Sequence, residues 1–373
     1  MIFQNVCIES LGYTVPDEVW TSESIEKRLE PLYSRLKLPA GRLELMTGIR
    51  ERRFWEPNVR PSDNSVRSCE QALRVAEIPK SSVGCLIHGS VCRDYLEPAT
   101  ACSVHHRLGL DGNCLIYDIS NACLGILNGV LQAANMIELG QVQSALVVGS
   151  EGGRQLVETT INALNEDTSL TRKSVKPAFA SLTIGSASCA VLLTHKSISS
   201  TQNRLVAAAA TSNTKFNDLC QSHQDQAGSE MAPLMFTDSE TLMREGVATG
   251  VANMQKLLAN AGWSLEEIDK SVCHQVGSAH QKLMLESLNV DPANDYGTFS
   301  WLGNTGSAAL PISLACGCQE GFIETGDRLA LFGIGSGINS IMMAIDWQES
   351  RIGSDTDIRQ TLSAISASRA NSV

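Results

Sequence analysis

Residues 123–139, CLGILNGVLQAANMIEL, narrow what this chain can fold into more than any other stretch. At helical spacing, Leu124, Ile126, Leu127, Val130, Leu131 and Met136 leave no broad polar face, and a helix that is apolar almost all round is buried. Gly125 and Gly129 lower its helix propensity, which fits a place where another backbone packs closely.

Short apolar runs bounded by glycine surround this helix. Residues 83–88, 114–119, 145–148 and 188–193 read as strands, and 65–75 and 122–139 carry helical periodicity. The alternation predicts an α/β fold with largely buried sheets. The second half repeats this alternation. Residues 264–283 read as helix, strand and helix, and 306–317 as a small-residue helix. A strand over 328–332 and a glycine turn over 333–337 follow. SALVVGSEGG (144–153) and RLALFGIGSG (328–337) look like counterparts, so we read a weak internal duplication divided near 195–205. The predicted units are 1–200, 201–347 and a polar, mobile tail over 348–373. The polar segment 211–230 reads as loop with some helix.

Hydrophobic residues make up 43% of the chain and charged ones 18%, a globular composition. The net charge of −11 lacks the basic footprint of a nucleic-acid binder. The start, MIFQNVCIESLGY, has no basic segment followed by a long apolar run, and no stretch approaches the ~18 apolar residues of a membrane span. A cytoplasmic protein is expected. Its 12 cysteines are scattered and read as reduced thiols. Cys316 and Cys318 form a C-x-C pair without a companion pair, and His105 and His106 read as helix-surface residues, so no metal site is expected.

Four stretches carry candidate chemistry. Cys123 stands at a strand–turn–helix junction, where a helix end favours a thiolate and aims N–H groups at a bound carbonyl; an inert buried thiol is the plainer reading. His274, in DKSVCHQVGSAHQKLM (269–284), ends a short strand and can face a cavity or be structural. Asn304 lies between Gly303 and Gly306 at a helix start, where capping would explain it. The turn around Ser336 can bring backbone N–H groups near a ligand.

In this order, Cys123, His274 and Asn304 resemble the ketoacyl synthase III branch of the thiolase-like condensing enzymes. The resemblance runs from VCIESLGYTVPDE through TGIRERR (47–53) to GIGSG. It implies a five-layered αβαβα fold of two similar halves, a homodimer, and an acyl-thioester substrate with no bound cofactor. Cys123 would be the acylated nucleophile. His274 and Asn304 would hydrogen-bond the second thioester as it becomes an enolate. The N–H of Cys123 and one from the Ser336 turn would hold the first oxyanion. Arg50, Arg52 and Arg53 would meet coenzyme A phosphates or pair with Glu51 and Glu56. Trp301, just before the Gly-Asn turn, would narrow an acyl channel.

Glu97 separates the members of this branch. In RDYLEPAT (93–100), Pro98 suits the first helical position, which leaves Glu97 at or just before a cap. Ser, Thr, Asp or Asn would cap better, so the glutamate either favours the helix end electrostatically or reaches for something. Decarboxylating a malonyl thioester gives a carbanion without a base, whereas joining two simple acyl thioesters requires one. The DYLEP motif resembles the OleA type, which implies that Glu97 acts as that base across the dimer interface. The expected reaction is condensation of two acyl-CoA molecules, or of acyl groups on an acyl carrier protein. Malonyl-dependent synthesis, acyl transfer to an oxygen or nitrogen acceptor, and a non-catalytic dimer partner are the alternatives.

Overall fold

A Cβ on Gly89 would stand 2.4 Å from the carbonyl oxygen of Gly125, and one on Gly125 would stand 2.7 Å from the carbonyl carbon of Gly89. Strand and helix backbones therefore touch directly, and the helix that follows Cys123 is seated on the sheet at its first residue. One turn on, a Cβ on Gly129 would meet Val147 at 2.5 Å. Both glycines are where close packing demands them.

The computed structural model describes residues 1–222 and 234–356. The first half runs β1 (Val6–Thr14), β2 (Glu18–Thr21), α1 (Ser22–Arg28), α2 (Glu30–Leu36), α3 (Arg42–Thr47), β3 (Glu51–Phe54), α4 (Pro61–Val75) and β4 (Val83–Gly89). It continues with α5 (Thr100–Leu108), β5 (Leu115–Ile119), α6 (Gly125–Glu138), β6 (Ser144–Glu151), α7 (Arg154–Glu166), α8 (Lys176–Phe179) and β7 (Ala187–His195). The second half runs β8 (Arg204–Ser212), β9 (Cys220–Ser222), β10 (Met235–Thr237), α9 (Ser239–Ala261), β11 (Lys270–Cys273) and α10 (Ser278–Leu288). It ends with α11 (Phe299–Leu302), α12 (Ala309–Gln319), β12 (Arg328–Gly335), β13 (Asn339–Asp346) and β14 (Ile352–Ser354).

One sheet carries the strand order β11-β12-β13-β8-β1-β7-β6-β4-β5. Each half contributes the same motif. β4 and β6 pair in parallel, β6 and β7 antiparallel, and β7 and β1 antiparallel; β11, β12, β13 and β8 repeat this sequence of pairings. The two sets meet where Cys7 pairs with Arg204.

Strand alternation sorts the side chains into layers. On β6, Ala145 and Val147 face the core that holds α6 and α12, and Leu146 and Val148 face the core under α4 and α5. On β12, Leu329 and Leu331 face α6 and α12, and Ala330 and Phe332 face α9 and α10. Both central helices therefore lie between two sheet faces, each backed by outer helices, which is the thiolase-like αβαβα arrangement. α12 is buried over residues 309–318, and α6 buries Ile126, Leu127, Val130 and Ile137. Each such side chain contributes on the order of 2 kcal/mol.

The start of the tail belongs to the fold, contrary to the expectation of a mobile segment from residue 348. β14 pairs in parallel with β1, and Arg351 reaches Glu349 at 2.8 Å and Glu77 at 3.3 Å. The rest of that tail, and residues 223–230 of the predicted loop, lie outside the described residues. Within the described part of that loop, 211–212 extend β8 and 220–222 form β9. Among the described residues, no helix is long and apolar enough to cross a membrane.

Candidate active site

The chain leaves β5 at Ile119 and turns sharply before α6. Ala122 adopts φ 45°, a left-handed conformation that costs a residue with a side chain about 1–2 kcal/mol. The turn is held by Leu124 N–H to Asn121 O at 2.9 Å and by the Asn121 side chain to Asn128 at 2.6 Å. Strain of this kind is retained where the next residue must be aimed, and the next residue is Cys123.

Helix α6 begins at Gly125, two residues after Cys123. The expected thiolate-favouring effect does not prevail. Burial, reinforced by the charge of Glu151, pushes the Cys123 thiol up to about 12, and its own backbone N–H opposes this only in part. A helix end is worth about 0.3–1 kcal/mol, less than one pKa unit, so desolvation wins. Cys123 rests as a thiol.

His274 continues β11 by donating its backbone N–H to Phe332 O at 3.0 Å. It is buried, and burial, with His280 nearby, pushes its pKa down to about 3. The ring is neutral at physiological pH. Beside it, the Gln275 carboxamide accepts from the backbone N–H groups of Thr298 (2.7 Å) and Phe299 (3.0 Å), which ties the end of β11 to α11.

Asn304 follows α11. Its N–H donates to Thr183 O and its carbonyl accepts from Gly185 N–H, each at 2.9 Å. Its Oδ1 accepts from Gly306 N–H at 3.0 Å, a side-chain turn one residue before Thr305, which is the N-cap of the short 3-10 turn Gly306–Ala308; this bond takes the place of the cap expected of Asn304. It also commits the oxygen and leaves Nδ2 as a donor. Gly303 is required here: its φ is 67° and a Cβ would stand 2.6 Å from Thr183 O.

The Ser336 turn lies against the Cys123 turn. Asn339 Nδ2 donates to Asn121 Oδ1 at 3.1 Å and to Ser336 O at 3.2 Å, and a Cβ on Gly335 would lie 3.6 Å from Cys123 N. Strand β12 thus connects the elements: Phe332 lies beside His274, and Gly335 beside Cys123.

Sequence reasoning missed Glu151. It ends the buried strand β6, and its Oε1 accepts from Ser307 Oγ (2.5 Å), Val91 N–H (3.1 Å) and Ser307 N–H (3.3 Å). Its Oε2 accepts from Cys92 N–H at 3.3 Å. A carboxylate closing an otherwise apolar strand was the available signal. The residue links the start of the Glu97 loop, the turn after Asn304, and the surroundings of Cys123.

Glu97 does not cap a helix. Helix α5 starts at Thr100, two residues beyond Pro98, and Asp118 of β5 caps it by accepting from Thr100 N–H (2.7 Å) and Ala101 N–H (2.9 Å). The position read for Pro98 and Glu97 is therefore corrected. Glu97 sits on an exposed loop and makes no hydrogen bond or ion pair among the described residues. Val91, Tyr95 and Leu96 on the same loop are 55%, 48% and 50% exposed, and Leu115, opening edge strand β5, is 52% exposed. Among the described residues, no hydrogen bond or ion pair joins Glu97 to Cys123, His274 or Asn304.

Arg52 and Arg53 lie inside the fold rather than on an exposed face, and of the two roles expected of the arginines, pairing with Glu51 holds for Arg53. Arg52 is fully buried, donates to Ser22 Oγ at 3.0 Å, and burial pushes its pKa down to about 10. Arg53 is buried, donates to Pro16 O at 3.2 Å and lies 3.9 Å from Glu51. Because strand β3 is covered on both sides, its arginines point inward. Arg50 alone is half-buried, and Glu56 is exposed. Trp301 is buried with the α6–α12 core, and the Arg53 guanidinium lies 5.9 Å from its ring centre. No group of three or more His, Cys, Asp or Glu among the described residues is placed to hold a metal.

Known proteins resemble this chain over nearly its whole length. The family model for the thiolase N-terminal domain matches residues 46–225, and that for the 3-oxoacyl-[acyl-carrier-protein] synthase III C terminal matches 258–347. An acyl-CoA:acyl-CoA alkyltransferase of Shewanella oneidensis is 38% identical over 351 residues, covering 93% of this chain and 100% of the relative. One from Xanthomonas campestris is 35% identical, with 93% and 100% covered. A crystal structure of a cysteine-to-serine variant of Xanthomonas OleA, with bound lauric acid and lauroyl-CoA, superposes with a TM-score of 0.87 at 34% identity, covering 93% of this chain and 100% of that one. Further OleA structures carry substitutions of a cysteine and a glutamate. That glutamate precedes that cysteine by the same interval as Glu97 precedes Cys123.

Proposed function

The chain belongs to the acyl-CoA:acyl-CoA alkyltransferases, the OleA type of thiolase-like condensing enzymes, and on that premise we propose how its residues divide the work. It is an acyltransferase that joins two acyl-CoA molecules head to head. Cys123 Sγ attacks the first thioester, the bond to coenzyme A breaks, and the thiol proton leaves with coenzyme A. The N–H of Cys123 and one from the Ser336 turn receive the oxyanion.

The carbonyl of the second acyl-CoA lies against His274 and Asn304. His274, neutral because it is buried, donates a ring N–H, and Asn304 donates through Nδ2 because its Oδ1 is occupied. Glu97 of the partner subunit removes a proton from the carbon beside that carbonyl. The resulting enolate attacks the acyl carbon on Cys123, a carbon–carbon bond forms, and the carbon–sulfur bond breaks. The product is a 2-alkyl-3-oxoacyl thioester, and the proton taken by Glu97 balances the one the sulfur regains.

One observation carries this reading. Glu97 caps nothing and stands on an exposed loop with the exposed Val91, Tyr95 and Leu96, and β5, with Leu115 exposed, ends the sheet as an unpaired edge among the described residues. An open edge and several exposed apolar side chains on one loop are features that a second copy covers. The protein is therefore a homodimer whose second subunit completes each site. It works in the cytoplasm, where its free thiols stay reduced.

Glu97→Ala and Glu97→Gln test the assignment. Mass spectrometry after exposure to acyl-CoA should show the acyl adduct on Cys123 undiminished, while the two-chain product falls by about a hundredfold or more. Unimpaired condensation in both variants would remove Glu97 from the mechanism.

A further inference from the structure

Glu151 stands where two parts of the site meet. Its carboxylate collects Val91 and Cys92 from the start of the Glu97 loop on one side, and Ser307, three residues past Asn304, on the other. The carboxylate is buried, and the Trp55 indole N–H binds its backbone carbonyl at 2.9 Å, so the clamp is itself fixed. Ser90 adds a parallel tie: its Oγ accepts from Cys92 N–H at 3.0 Å and donates to Ser150 O at 2.9 Å. Beyond these ties the loop runs out to the exposed Tyr95, Leu96 and Glu97.

We infer that Glu151 is a positioning residue that aims the Glu97 loop at the neighbouring subunit while gripping its own subunit's Asn304–Ser307 turn. The inference rests on Glu97 acting across the interface. A carboxylate delivered to a foreign site needs a rigid base in its own subunit, because a misplacement of about 1 Å in a reacting group can cost a hundredfold in rate. Four hydrogen bonds to one buried carboxylate supply that base.

Differently tagged subunits purified as mixed dimers test this. One subunit carries Cys123→Ala, so the working site combines the other subunit's Cys123 with the Glu97 of the cysteine-dead subunit. Glu151→Gln is then placed in one subunit or the other. Placed in the cysteine-dead subunit, it should lower condensation by about tenfold to a hundredfold while acylation of the working Cys123 proceeds at its normal rate. A loss of condensation only when Glu151→Gln lies in the cysteine-bearing subunit overturns the inference.

Glu97→Ala, moved between the same two subunits, tests the underlying reading separately. Loss from the cysteine-dead subunit upholds delivery across the interface, and loss only from the cysteine-bearing subunit contradicts it. Should Glu151→Gln fail to assemble, Ser90→Ala in the cysteine-dead subunit should still reduce condensation severalfold, and no change there overturns the inference.

Discussion

The backbone N–H of Thr100 donates to the Asp118 carboxylate at 2.7 Å, so the helix after the Glu97 loop is capped from the adjacent strand. This bond and its companion from Ala101 separate stability from chemistry in this region. Asp118→Ala should cost about 1–2 kcal/mol in denaturant unfolding, as cap removal does elsewhere. Glu97→Ala should stay within about 0.5 kcal/mol of the parent, as an exposed residue without partners does. The reverse order would mean that Glu97 is the cap after all.

Glu151 raises the pKa of Cys123 through its charge, and burial raises it more. Removing the charge favours the thiolate. Glu151→Gln should therefore shift the pH profile of Cys123 alkylation to lower pH, so that the thiol reacts faster at any given pH below about 12. A profile that stays in place or moves upward would show that the charge does not act on the sulfur.

Burial holds His274 and His280 at about 3 and 4, below the ordinary 6.5, and lowers His88 as well. An unfolded chain binds more protons at these rings than the folded one. Their contribution to stability is thus complete above about pH 6.5 and is lost as pH falls toward 4 and 3. The loss runs at about 1.4 kcal/mol per pH unit for each ring. Urea unfolding between pH 7 and pH 4.5 should show the decline, and His280→Asn should make it shallower.

Gly125→Ala places a methyl 2.7 Å from the Gly89 backbone. Overpacking of this kind costs about 1–3 kcal/mol. The displaced helix begins two residues after Cys123, so acylation should slow along with the fall in Tm. Gly109→Ala, at a helix end where a Cβ meets nothing within 4 Å, controls for general glycine effects through its positive φ of 60°.

What could be read in the chain were features whose causes lie within a few residues. The all-round apolar helix, the strand runs and the glycines around Asn304 are local in this sense. Gly303 is glycine first because of its own φ of 67°. Glu151 was not legible, since its partners Val91 and Ser307 lie 60 and 156 residues away. The cap on α5 comes from a side chain 18 residues later, and a Pro at a helix start argued for the wrong register. Sequence left Arg52 and Arg53 of β3 open between coenzyme A phosphates and pairing with carboxylates, because it does not reveal which strands are covered. Arg52 is buried against Ser22, 30 residues earlier.

The central claim is that two unactivated thioesters are joined. The pure protein should be incubated with a single long-chain acyl-CoA and no malonyl thioester, and the products analysed for a species built from two chains. The account predicts a 2-alkyl-3-oxoacyl thioester, or the ketone formed once water hydrolyses that thioester and the resulting 3-oxo acid loses CO₂, with turnover that depends on Glu97. Acylated Cys123 with no carbon–carbon bond until malonyl thioester is added would contradict it.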